Sequence, residues 1–282
     1  MKEIDLKEVQ SLITPRDKNS NKGSFGRLLI IAGSEKYPGA AALTVSGALR
    51  GGAGLVTLLG REKVFAKIFP LIPEAVLAPM ERFNKKILEN ELMKSTAVVI
   101  GPGIGRGKEA FKTLKYVLSS YRGPLLLDAD ALNILSEKPK MLKTAVGTLV
   151  LTPHPGEMSR LSKKSILEIQ SSREETAKEF ALQNKLHLIL KGNRTVVASS
   201  DGETFANTTG NAGMARGGSG DILSGLLGAF LAMGEDALSA SKKAVFLHGL
   251  AGDIAAAEKT EHSMLPSDII AAIPKAFKGI TE

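Results

Sequence analysis

Short apolar runs rich in leucine and β-branched residues recur along this chain, from RLLIIAG at 27–33 to TVVAS at 195–199, with longer stretches of helical periodicity between them. That alternation predicts a parallel sheet covered by helices on both faces. Strands are expected over 27–33, 54–59, 96–101, 124–128, 148–152, 186–190 and 195–199. Helices are expected over 39–51, 107–119, 156–162, 167–184, 219–233, 236–258 and 267–276. A polar segment precedes the first strand. No Pro- or Ser-rich linker divides the chain and no repeat or low-complexity tract occurs, so a single domain over 1–282 is expected.

Composition narrows the class. With 282 residues, 43% hydrophobic and 23% charged, the chain reads as a soluble globular protein long enough for a full core. It contains no cysteine, which excludes disulfides, thiol nucleophiles and thiolate metal sites and fits a reducing cytoplasm. The N-terminal MKEIDLKEVQSLITPRD has no sustained apolar run and is not a secretory signal. The longest apolar stretch, near Ile222 to Met233, is broken by Ser224, Gly225 and Gly228 and is too short for a bilayer. A formal charge of +8 invites a nucleic-acid reading, but the cations are scattered and aromatics are only 5% with no Trp, so no stacking platform exists. A small, highly anionic ligand such as a dinucleotide accounts for the charge better. The histidines at 154, 187, 248 and 262 lack metal-ligand spacing, which argues against zinc.

The most informative stretch is GNAGMARGGSGDILSGLLGAF at 210–230, where a glycine-dense loop ends in Asp221 and enters an apolar helix. Gly217, Gly218 and Gly220 allow the backbone to approach a ligand, and their N–H groups with the helix N-terminus suit an anion. Asp221 beside that anion reads as a base that takes a proton from a hydroxyl about to attack phosphorus, or else as a first-turn acid complementing the helix dipole. GSEKYPGAA, GPGIG, DADALN and TPHPGE each follow a predicted strand. Ligands in open parallel sheets bind at strand carboxyl ends, so the four segments are expected to converge on one cleft closed by the glycine loop.

Three common enzyme classes drop out. The region near Gly107-Lys108 has Pro102 and Glu109 where a Walker loop needs Gly and a hydroxyl; Arg106 occupies the third Gly of G-x-G-x-x-G; Asp221 breaks G-x-S-x-G. Other motifs carry two readings each. GPGIG is a ligand-facing turn or an ordinary connection, and Ala40 to Ala42 form a ligand surface or a close-packing one. His154, fixed between Pro153 and Pro155 with Glu157 three residues on, is a cleft histidine or a surface-loop residue. KGNRT reads as a hairpin turn with Gly192-Asn193 at positive φ, which leaves Lys191, Arg194 and Thr195 available to a nucleotide. Asp130 is expected to cap the following helix, while Asp128 is left open between ligand or metal binding and capping.

Together these motifs resemble the ADP/ATP-dependent NAD(P)H-hydrate dehydratase family of the ribokinase-like superfamily. The resemblance runs from GSFGRLLIIAGSEKYPGAAALTVSGALRGGAGLV through GPGIG, LLLDADALN, LTPHPGE, KGNRTVV and NTTGNAGMARGGSGDILSG to HGLAGD. It implies a three-layer αβα fold with a central, mostly parallel sheet, and repair of hydrated NADH and NADPH (NADHX and NADPHX). By position it implies substrate contacts at Ala41, Gly103, Gly105, His154 and Asp221. It implies an adenine-nucleotide site at Lys191, Gly192, Asn193, Arg194 and Thr195, with Gly217, Gly218 and Gly220 at the phosphates and Asp221 as base. Related kinases commonly carry Asn where His154 stands, which favours the dehydratase branch. Glu157 corresponds to an acid those kinases use near magnesium, so Mg2+ with ADP or ATP is implied. Arg216 departs from the smaller or differently charged residue usual beside the loop. A cytoplasmic homotetramer, no membrane association, and an epimerase as a separate protein are implied as well. Two rivals remain: a ribokinase-like kinase of a hydroxyl-bearing vitamin precursor, and a nucleotide-binding sensor without turnover.

Overall fold

The computed structural model describes residues 1–13 and 15–281; Thr14 and Glu282, which fall within the expected single domain, lie outside the described residues. Ten strands form one sheet: β1 (Lys2–Ile4), β2 (Arg27–Ile31), β3 (Leu55–Gly60), β4 (Val76–Pro79), β5 (Ala97–Ile100), β6 (Leu125–Leu127), β7 (Leu149–Leu151), β8 (His187–Leu190), β9 (Val196–Ala198) and β10 (Thr204–Asn207). Their spatial order is β1-β10-β9-β8-β7-β6-β5-β2-β3-β4. Every pairing is parallel except those of β9 with β8 and β10. The mostly parallel sheet expected from the sequence is therefore present.

Among the described residues twelve α-helices accompany it: α1 (Leu6–Ser11), α2 (Pro38–Gly51), α3 (Glu62–Ile68), α4 (Lys85–Lys94), α5 (Lys108–Ser120), α6 (Asp130–Glu137), α7 (Pro155–Ser162), α8 (Ile166–Ser171), α9 (Arg173–Asn184), α10 (Ser219–Ala232), α11 (Ala237–Lys259) and α12 (Pro266–Thr281). Side chains alternate across each strand with period two, as a pleated strand requires. Leu28, Ile30, Val99, Leu126, Val150 and Ile189 face the core shared with α2, α3, α10, α11 and α12. Leu29, Ile31, Val98, Leu127, Leu151 and Leu188 face the core shared with α4 to α9. The result is three layers, αβα, with both sheet faces dry.

One crossing fixes the helix that matters most. α10 is buried almost all round and lies against α2 at glycines: a Cβ on Gly225 would fall 1.9 Å from Thr44 O, and one on Gly47 would fall 2.5 Å from Ile222 O. Any side chain there would push the helices apart and displace the N-terminus of α10. Ala41 is fully buried on the sheet side of α2, where a Cβ on Gly33 would fall 2.8 Å from its own Cβ.

The structure corrects several expectations. The polar N-terminal segment contains β1 and α1, and the four-residue strands β4 and β10 are not among the expected strands, each being too short to set up a clear alternation. The helix expected over 167–184 is two helices, broken where Ser172 Oγ turns back to Glu168 O and competes with the helical backbone. No helix among the described residues is long and apolar enough to cross a membrane.

Candidate active site

At the carboxyl edge of the sheet the strand hydrogen bonding runs on into the loops. Gly33 N donates to Pro102 O, Gly101 N to Ile31 O, Asp128 N to Ile100 O, Thr152 N to Leu127 O and Lys191 N to Pro153 O. The segments after β2, β5, β6, β7 and β8 are therefore held side by side, as predicted for the cleft.

Four ionisable side chains meet there. Asp128, 1% exposed at the end of β6, accepts from Lys191 Nζ at 2.9 Å and from Ser224 Oγ of α10 at 2.8 Å. Lys191 Nζ also lies 4.0 Å from Glu157 Oε2. Asp221 occupies the first turn of α10, and a Cβ on its neighbour Gly220 would lie 3.1 Å from Lys191 Nζ. Burial pushes Lys191 towards neutrality, but Asp128, Glu157 and Asp221 together outweigh it and hold the ammonium above its ordinary value. Three acids share this one cation, and the deficit falls on Asp221: burial, then repulsion from Asp128, pushes its carboxyl up to about 7. Burial also raises Glu157, with Lys191 opposing. A carboxyl poised near neutral pH can exchange a proton with a bound hydroxyl.

The glycine loop presents backbone to the same place. Gly218, the N-cap of α10, adopts φ +106°, which a side chain would rarely tolerate, and a Cβ there would strike Leu43 Cδ1 at 2.6 Å. Within this turn Ser219 N donates to Arg216 O and Asp221 N to Gly218 O, which leaves the Gly220 N–H as the one at the helix start with no backbone acceptor among the described residues. Beside it opens a cavity of about 750 Å³ whose wall includes His154, Lys191, Asn193, Thr195, Ser219 and Gly220. Gly192 and Arg194 line it as well.

The sequence-predicted residues separate into two groups. His154, the 191–195 segment and Gly220 share the cavity wall. Gly103 and Gly105 lie on the other flank, Gly103 against Tyr37 and Ala40, and Gly105 with its N–H on Asp130 Oδ2 at 2.8 Å. Asp130 therefore ties down the GPGIG loop and does not cap α6, whose N-cap position is Ala129 at φ 51°. In the β8–β9 hairpin the positive φ values belong to Gly192 and Arg194, not Asn193, and Arg194 reaches across to Glu3 on β1. His154 closes a capping box on α7: its Nδ1 accepts from Gly156 N and Glu157 N while Glu157 Oε2 accepts from His154 N. Its ring is half exposed, and burial, with Lys191 and Arg160, lowers its pKa, so the imidazole is neutral. Ser224 was not anticipated. Its only sequence signal is its position one helical turn after Asp221, on the helix that faces Asp128.

No group of three or more acids or histidines suited to a metal ion occurs among the described residues. Glu157, the acid singled out for magnesium, is already engaged by His154 N–H and Lys191.

The fold and this edge set a carboxylate beside a helix N-terminus at the carboxyl ends of a mostly parallel α/β sheet. Comparison with known proteins gives a family. A family model described as NAD(P)H-hydrate dehydratase matches residues 28–275. The chain is 36% identical over 281 residues to the bifunctional NAD(P)H-hydrate repair enzyme Nnr of Moorella thermoacetica, covering 97% of itself and 53% of that protein. It thus spans about half the length of such bifunctional relatives. The crystal structure of ADP/ATP-dependent NAD(P)H-hydrate dehydratase from Bacillus subtilis, co-crystallized with ATP/Mg2+, superposes with TM-score 0.87 at 32% identity, covering 99% of this chain and 98% of that one. A ribokinase-like superfamily protein from Enterococcus faecalis gives TM-score 0.88 at 30% identity, over 99% and 96%. The chain belongs to the NAD(P)H-hydrate dehydratase family and has the ribokinase-like fold.

Proposed function

We propose that this chain catalyses the ADP- or ATP-dependent dehydration of hydrated NADH and NADPH, restoring the reduced cofactors. Asp221 carries the reading: a base-competent carboxyl in the first turn of α10, next to Lys191 and the glycine loop. In its ionised form Asp221 takes the proton from the ring hydroxyl of the substrate. The hydroxyl oxygen bonds to the terminal phosphorus of the nucleotide as the bond from phosphorus to the bridging oxygen breaks, releasing AMP from ADP or ADP from ATP. Hydroxide is a poor leaving group and phosphate a good one, so the ring nitrogen then expels phosphate, and the neighbouring carbon loses a proton to restore the double bond. Backbone N–H groups of Gly217, Gly218 and Gly220 and the Lys191 ammonium stabilise charge on the moving phosphoryl group.

Magnesium fits this site as a cation carried in on the nucleotide, because Asp128 and Glu157 are committed to Lys191, Ser224 and His154. Bound there it would neutralise phosphate charge, with Asp221 the carboxylate nearest the glycine loop. The Gly103 and Gly105 loop forms the substrate side, 191–195 and the 750 Å³ cavity form the adenine-nucleotide side, and His154, on the wall of that cavity, is the substrate contact that borders the nucleotide. The same reading takes a separate NAD(P)HX epimerase as functional partner and a homotetramer as the assembly, which light scattering tests.

The test is to mix the purified protein with hydrated NADH, magnesium and either ADP or ATP and follow dihydronicotinamide absorbance with phosphate release. Recovery with one nucleotide names the donor. A stable phosphorylated product, or no recovery with either nucleotide, contradicts the reading.

A further inference from the structure

Four buried side-chain atoms have no hydrogen-bond partner among the described residues: Arg173 Nε, His187 Nδ1, Ser219 Oγ and His248 Nε2. Ser219 and His248 belong to different helices, α10 and α11, yet they line the same cavity as the 191–195 segment. They are 6% and 8% exposed. Buried polar atoms are nearly always paired, and two unpaired ones on one cavity wall mark a place where a ligand completes them.

The rest of the HGLAGD stretch has a structural account. Asp253 accepts from Gly210 N and Asn211 Nδ2, both at 2.9 Å. A Cβ on Gly249 would lie 2.2 Å from Thr209 Oγ1, and one on Gly252 would lie 2.3 Å from Met214 Sδ. These residues seat the 209–214 loop on α11. His248 is left over: burial pushes its imidazole down to about 4, against a backbone hydrogen bond at Ser219, so the ring is a neutral polar group held against the start of α10.

We propose that Ser219 and His248 are nucleotide-binding side chains, each making a hydrogen bond to the phosphate-bearing end of the adenine nucleotide. This rests on the reading of the cavity as the nucleotide site. The phosphate end is favoured over the base because Ser219 stands between Gly218 and Gly220 in the anion-binding turn, where Lys191 Nζ also points.

At Ser219 the inference predicts effects of opposite sign on stability and on nucleotide binding, which a structural role does not. Ser219 Oγ has no partner within the protein, so Ser219→Ala should melt at or above the wild-type temperature without nucleotide, whereas His248→Leu also loses the ring's hydrogen bond to the Ser219 backbone and should melt slightly lower. Each should nevertheless bind ADP with magnesium about tenfold more weakly by isothermal titration calorimetry, the value of one lost hydrogen bond. His248→Asn, which keeps a polar head short of the cavity, gives a second reading at that position should His248→Leu not fold. Affinities within twofold of wild type overturn the proposal, and a loss in one variant alone overturns the pair. A wild-type protein that binds neither ADP nor ATP overturns the nucleotide reading itself.

Discussion

Two lysines are buried at opposite ends of α10, and their surroundings differ. Lys191, beside Gly220 at the N-terminus, faces Asp128, Glu157 and Asp221. Lys243 lies 3.9 Å over the Phe230 ring, near the C-terminus, and pairs with Glu235 alone. Burial pushes both ammonium groups down. Three acids reverse that at Lys191, whereas one does not at Lys243, whose pKa stays lowered. A buried cation with one partner is a local solution to packing. Burial first, and then repulsion from Asp128 in this surplus of acid, raises Asp221 to about 7, which leaves that carboxyl partly protonated.

The comparison breaks first at the acid. Asp221→Asn keeps the shape and removes the base, so turnover of hydrated NADH should fall by about 10²–10⁴-fold while circular dichroism is unchanged. Retained activity contradicts its role. Lys191→Met comes next, because it leaves Asp128 and Glu157 buried without their cation. A loss of ~3–5 kcal/mol in denaturant unfolding is expected, along with loss of activity. Lys243→Met places an apolar chain over Phe230, so repair activity should stay unchanged and stability should shift by only about 1 kcal/mol, since Glu235 is partly exposed.

A pH series sharpens the same contrast. The pKa of Asp221 is raised from 3.8 to about 7 on folding, so the folded protein holds a proton that the unfolded chain releases over that interval. Its contribution to stability is fully present below the unfolded value and is lost as pH rises through about 7. Asp221→Asn should therefore melt higher than wild type at alkaline pH, by roughly 2–4 °C for each kcal/mol gained, and the gap should close in acid. An equal gap at all pH values contradicts the shift.

Much of this was legible in the sequence because the signals were local. Alternating apolar strands, the glycine loop and Asp221 occupy contiguous stretches whose physics is read residue by residue. The short outer strands were not legible: KEI offers one buried side chain and TFAN three, and both take their conformation from neighbours. Nor was the partnership of Asp128 and Lys191, separated by 63 positions and joined only when β6 and β8 flank β7. Asp130 shows the limit most clearly. An acid just after a strand reads as a cap from sequence, while the structure gives it to Gly105 on a neighbouring loop.

The central claim is that surplus acid around Lys191, with burial, sets the proton affinity of Asp221. It is tested most directly by the pH dependence of kcat/KM for hydrated-NADH repair in the wild type and in Asp128→Asn. The wild type should lose activity in acid with a midpoint near 7, the value of Asp221. Removing the Asp128 charge removes the largest repulsion on Asp221, so the midpoint should move to lower pH. A midpoint that stays in place or rises contradicts the account.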